Sequence, residues 1–157
     1  MKYITLTALI ALASSSIACG YYELDRMKGT WTYESGTYTL SCPGYAPDTT
    51  EVSGSVRFDE GSETDLTIVA NTCVSSFNAT ATGAEWEPGG LPCVDRFNDS
   101  EGRAWEAELQ PGTWSFRLND AEDRLTEQYQ GSLVLSSGAF RLTCGVNQNG
   151  VLRKVSR

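Results

Sequence analysis

The chain contains no histidine. That absence excludes a Ser-His-Asp triad, a His-ligated zinc and a histidine pH switch, while leaving carboxylate chemistry open. Basic residues are scarce: 12 Lys and Arg stand against 20 Asp and Glu, for a formal net charge of −8. No basic stripe reverses this sign locally, so the field repels phosphates and no nucleic acid partner is expected. Beyond the first 18 residues no apolar run approaches the roughly 20 residues of a membrane helix. There is no Gly-x-Ser-x-Gly elbow and no phosphate-binding glycine loop. The cysteines lack the close pairs that zinc requires. Two turns crowded with oxygen ligands (Asp59, Glu60, Glu63, Asp65 and Asp95, Asn98, Asp99, Glu101) lack the spacing of a calcium loop. Glu106 and Glu108 share a strand face, which suits solvated charge better than the acid pair of a glycosidase. These absences predict a protein that is not an enzyme, with no catalytic residue, no cofactor and no metal.

What is present begins with a leader. Lys2 precedes the apolar residues 4–13, and Ser14, Ser15 and Ser16 follow, the pattern of a secretory signal peptide over residues 1–18. Small residues at Ser16 and Ala18 suit ordinary signal peptidase. The four residues Ser16-Ile17-Ala18-Cys19 also resemble a bacterial lipobox, departing from it at Ser16, where that pattern has Leu, Val or Ile. Cysteine parity favours the lipobox. The five cysteines are Cys19, Cys42, Cys73, Cys93 and Cys144, and acylation of Cys19 leaves four that can pair in an oxidising compartment. The expectation is therefore a membrane anchor through lipid on Cys19, with residues 19–28 as a tether. Gly20 in place of Asp, by resemblance to enterobacterial lipoproteins, implies the outer membrane. Without acylation the protein would be secreted or periplasmic. Residues 29–157 are enough for one domain, expected to be monomeric.

From Gly29 onward the apolar residues recur with period two, the mark of half-buried strands. Trp31 and Tyr33 share a face, as do Tyr38, Leu40 and Cys42. Val52, Val56 and Phe58 predict one strand, Leu66 and Ile68 another, and residues 73–82 a third. Trp105, Ala107 and Leu109 alternate with charge, and Trp114, Phe116 and Leu118 form a separate pattern beyond the turn signal Pro111-Gly112. In residues 125–135, Leu125, Tyr129, Leu133 and Leu135 fall on one face, so a strand is preferred to a helix. Phe140, Leu142 and Cys144 line the next. Asn149-Gly150 predicts a hairpin turn before a last short strand over residues 151–155. Residues 84–102, with two prolines and three glycines, predict a long loop holding one short strand.

Eight to ten short strands with a turn every ten residues or so predict an all-β protein. An antiparallel meander barrel is the first choice, since closure removes sticky edges, and a sandwich is the second. Cys42 and Cys144 lie on apolar strand faces at opposite ends of the domain, which meet when a meander closes. That pairs Cys42 with Cys144 and leaves Cys73 with Cys93. Trp31 and Trp114 head apolar faces and belong to the core. Trp86, beside Glu85, Glu87 and Pro88 in the irregular segment, is the candidate for an exposed contact.

Gly29-Thr30-Trp31 at the head of the first strand resembles the Gly-x-Trp that opens the barrel in lipocalins. The fuller resemblance is to lipocalin-like lipoproteins of gliding soil bacteria, in the Ser/Thr-Gly-rich strands, the turn at Thr39 to Gly44 and the late Thr143-Cys144. It implies a barrel in which Trp31 packs against an arginine from a late strand, Arg141 or Arg153. It implies little about ligand, because one fold hosts many functions. The expected role is a cell-envelope lipoprotein that binds a small apolar ligand inside the barrel. The alternative is a structural or protein-interaction lipoprotein with a filled core, inhibitor-type barrels included.

Overall fold

The computed structural model describes residues 25–61, 66–70, 73–87 and 93–156. Ten strands follow in chain order: β1 (Gly29–Ser41), β2 (Asp48–Glu51), β3 (Ser55–Glu60), β4 (Leu66–Ala70), β5 (Cys73–Thr80), β6 (Gly83–Trp86), β7 (Cys93–Asn98), β8 (Ala104–Leu118), β9 (Arg124–Ser137) and β10 (Phe140–Ser156). Every pairing is antiparallel. Strand order runs β10-β9-β8-β6-β5-β4-β3-β1, and β1 then pairs with β10. The result is a closed eight-stranded meander barrel with β2 and β7 as additional strands, not a sandwich.

The long strands belong to two structures at once. Residues 29–32 of β1 pair with β3, whereas residues 37–40 pair with β2. Residues 115–117 of β8 pair with β6, whereas residues 104–109 pair with β7. β9 and β10 stay paired from Arg124–Arg153 to Ser137–Phe140. One half of each long strand therefore closes the barrel. The other half continues past its rim as an open sheet ordered β2-β1-β10-β9-β8-β7.

The closed half is filled. Trp31, Phe58, Phe77, Phe116, Leu66, Leu125 and Leu152 are fully buried inside it. Phe58 and Phe116 meet edge to face with ring centroids 4.9 Å apart, and Phe77 lies 5.5 Å from Phe116. A helical turn over residues 25–27 plugs one end by placing Met27 in this core. The Met27 carbonyl accepts the Trp31 indole N–H at 2.8 Å. The cation over Trp31 is Lys154, 4.9 Å from the ring centroid, and not Arg141 or Arg153. Strand parity explains the change: Lys154 stands opposite Trp31 in the β1–β10 register, while the odd-numbered Arg141 and Arg153 point outward and are exposed. Lys154 also donates to the Arg26 carbonyl.

Several expected turns are strand. Asn149-Gly150 lies in the middle of β10. Gly150 is extended, paired with Glu127 and Gly36, and a Cβ there would sit 2.7 Å from the Tyr33 ring; the glycine makes room for a side chain and does not reverse the chain. Pro111-Gly112 is a bulge within β8, which joins the two expected tryptophan strands into one. Proline has no N–H to give the ladder, so a bulge accommodates it. Residues 52–58 are not one strand: the chain breaks at Gly54, whose φ of 104° suits glycine, and β2 and β3 then serve the two halves of β1. The expected loop over residues 84–102 contains β6 and β7.

Cys42 and Cys144 form a disulfide, S–S 2.04 Å, across the β1–β10 seam that closes the barrel. Cys73 and Cys93 lie in β5 and β7, but their side chains, like Cys19, fall outside the described residues.

Candidate functional site

Strand parity builds the polar centre of the molecule. β9 turns Leu125, Glu127, Tyr129, Gly131 and Leu133 to the inside. β10 sets Gly150 opposite Glu127 and Gln148 opposite Tyr129, and β8 sets Phe116 and Trp114 beside the same two residues. Glu127 is the one charged side chain among the fully buried residues described. Its Oε2 accepts from the Tyr33 hydroxyl at 2.6 Å and from Gln148 Nε2 at 2.9 Å, and its Oε1 accepts from Trp114 Nε1 at 2.8 Å. Gln148 Nε2 also donates to the Tyr33 hydroxyl at 3.1 Å. Three donors converge on one carboxylate, the arrangement that makes burying such a group tolerable. Burial first, and the Glu127 carboxylate second, push the Tyr33 phenol well above its ordinary range. Burial likewise raises Tyr38 and Tyr129. The Tyr129 ring lies along its own strand over Gly131, where a Cβ would meet the hydroxyl at 2.2 Å, and its hydroxyl donates to the Gln110 carbonyl at 3.3 Å. This belt separates the filled barrel from the open sheet.

Above the belt the inner face of the open sheet is apolar, and its burial falls off with height. Val146 and Cys144 are buried, Leu109, Leu133, Leu135 and Leu142 are half-buried, and Phe97 and Phe140 at the far end are 46% and 49% exposed. Phe97 pairs with Trp105 across β7 and β8, and Trp105 meets Phe140 edge to face at 5.6 Å. Trp105 is fixed from behind. Its indole N–H donates to Asp99 Oδ2 at 2.9 Å, while Asp99 Oδ1 accepts from the backbone N–H groups of Glu101 and Arg103. The indole bond, then the Arg103 backbone bond, hold the Asp99 carboxyl below its usual range. The turn that looked like an empty acidic cluster is thus the buttress of an aromatic lip. On the opposite face of these strands Glu106 pairs with Arg96 at 2.7 Å, and an open cavity of about 450 Å³ at this end of the sheet is lined by these two and by Phe97 and Trp105.

Trp86, the expected exposed contact, is instead half-buried against the barrel core on β6. Its neighbours in sequence are polar and glycine-rich, but β6 pairs with β5 and β8 and turns the indole inward. Trp114 joins the core as expected and also binds Glu127. The lip residues Phe97, Trp105 and Phe140 are brought together only by the pairing of β7 through β10. Glu127 was within reach of the sequence, since it stands between Leu125 and Tyr129 at the parity of the apolar face. Among the described residues no group of three or more His, Cys, Asp or Glu side chains is placed to hold a metal ion.

Comparison of the chain with protein-family models, with curated proteins and with solved structures finds no match.

Proposed function

We propose that this protein is an exported cell-envelope lipoprotein acting as an interaction module, with the plugged barrel as its stand and the lip of Phe97, Trp105 and Phe140 as its contact surface. The filled interior carries the reading. Trp31, Phe58, Phe77 and Phe116 occupy the space in which a small barrel otherwise encloses a ligand. Exposed aromatic side chains held rigidly at one end are the residue types that dominate protein interfaces. The Cys42–Cys144 disulfide supports an oxidising compartment, and lipid on Cys19 leaves the domain an even number of cysteines.

A second reading, a small apolar ligand, is favoured by the half-buried apolar inner face behind the lip. Photo-reactive amino acids placed at Phe97 and Phe140 in cells separate the two. The interaction reading expects a discrete cross-linked protein from these positions and none from exposed Tyr45. A stoichiometric small molecule in native mass spectra of the envelope-extracted protein, with no cross-link, would replace it with the ligand reading. The same spectra test the anchor, since an unmodified Cys19 removes it.

A further inference from the structure

The outer face of the long strands, where the barrel meets the open sheet, carries a different chemistry from the inner face. Two rungs cross it, set by the strand registers. One runs Ser115, Gln128, Asn149, Thr37 and the next Thr113, Gln130, Asn147, Thr39 over β8, β9, β10 and β1. Each reads hydroxyl, carboxamide, carboxamide, hydroxyl. These eight positions hold no charge, and the first rung ends in two exposed carboxylates, Glu85 on β6 opposite Ser115 and Glu51 on β2 opposite Thr37. All six of these side chains on β8, β9 and β10 line a shallow groove of about 250 Å³, together with Tyr129. Among the described residues Gln128, Gln130, Thr113 and Ser115 make no side-chain hydrogen bond, while Asn149 donates to Asn147 at 2.9 Å and Thr39 meets Thr49 at 3.0 Å.

We propose that this grid binds a neutral polysaccharide. Every group in it offers both a donor and an acceptor or can switch between them, as a sugar hydroxyl does. The grid repeats at about 4.8 Å along a rung and about 7 Å between rungs, which gives an extended polymer a row of hydrogen-bonding partners. It holds no cation to meet a phosphate or carboxylate, so an anionic polymer is not its complement. The site is on the face opposite the aromatic lip and does not depend on what the lip binds.

Native gel electrophoresis of the whole protein through soluble neutral glucans and mannans, with alginate as the anionic counterpart, tests the proposal. The expected result is retardation by at least one neutral polymer and none by alginate. The exposed double variant Gln128→Glu/Asn149→Asp should bind about tenfold more weakly with an unchanged melting curve, and Phe97→Ser/Phe140→Ser should bind as the parent does. Absence of retardation by every neutral polymer overturns the proposal, as does equal retardation by alginate. Sedimentation showing self-association that the same double variant abolishes also overturns it, since the face would then be an interface between two copies.

Discussion

Replacing Glu127 with glutamine removes one acceptor from the centre of the protein and changes almost no volume. The carboxylate uses both oxygens: Trp114 donates to one, Tyr33 and Gln148 to the other. A glutamine has one oxygen and one NH2. Turned so that its oxygen keeps Tyr33 and Gln148, it points its NH2 at the Trp114 N–H. The Trp114 N–H and the new NH2 are then both left without an acceptor, which costs at least about 1–3 kcal/mol, and two charge-assisted bonds become neutral ones, each weaker by about 1 kcal/mol. Relief from burying a carboxylate offsets part of this. The expected loss is about 2–4 kcal/mol, a large share of the 5–15 kcal/mol typical of a domain. Urea unfolding followed by tryptophan fluorescence should show the midpoint fall by about 1–2 M at unchanged slope. Tyr33→Phe combined with Glu127→Gln should be non-additive by more than about 0.5 kcal/mol. A pH series adds an independent arm. The folded Tyr33 phenol lies above its ordinary value of 10.0, so the unfolded phenol releases its proton first. The stability it contributes is intact below pH 10 and falls as pH rises beyond that, and the gap between the parent and Tyr33→Phe should narrow in the same window. A midpoint within about 0.3 M of the parent, with additive effects, would refute the joint.

Three further outcomes follow from the packing. Gly150→Ala adds a methyl 2.7 Å from the Tyr33 ring and 3.1 Å from Glu127 Oε2, and should lower stability by about 1–3 kcal/mol in a thermal melt, while Gly145→Ala on the same strand, whose nearest atom is 3.8 Å away, should be near neutral. Cys42→Ala/Cys144→Ala opens a link between residues 102 apart in sequence, and chemical unfolding should show a loss of about 4 kcal/mol. Lys154→Gln keeps a donor for the Arg26 carbonyl but removes the charge above Trp31, so urea unfolding should register a loss of about 1–2 kcal/mol.

The barrel and its seam disulfide were legible because both follow from parity. Tyr38 and Leu40 on β1 and Cys42 just beyond it, with Leu142 and Cys144 on β10, could only be buried together if the first and last strands met. The strand over residues 125–135 was legible for the same reason. Local turn chemistry misled at Asn149-Gly150 and Pro111-Gly112. Both dipeptides do favour reversal when nothing else acts on them. Here Gly150 answers to the Tyr33 ring and Gly112 to the Gln130 carbonyl, where a Cβ would meet the oxygen at 2.2 Å. Neither neighbour is within 15 residues in sequence, so no local window contains the reason. The aromatic lip was hidden for a related cause: Phe97, Trp105 and Phe140 come from three strands, one of them inside a segment whose prolines and glycines suggested a loop.

Glu127 shows why a protein keeps a carboxylate in such a place. In a strand, a slip of one residue exchanges the two faces. A slip of β9 against β10 would send Glu127 to solvent and bring Gln128 inward, with Tyr33, Trp114 and Gln148 left facing a side chain that cannot accept from all three. Apolar residues alone penalise that slip weakly at this height, because Gly36, Gly131 and Gly150 give the inner face of β1, β9 and β10 little to lose. The filled barrel below fixes its own register by volume, through Phe58, Phe77 and Phe116. The open sheet above has no opposite wall among the described residues to do the same. The belt therefore sits where packing stops being able to specify alignment, and passes the register of the plugged half on to the half that carries the lip.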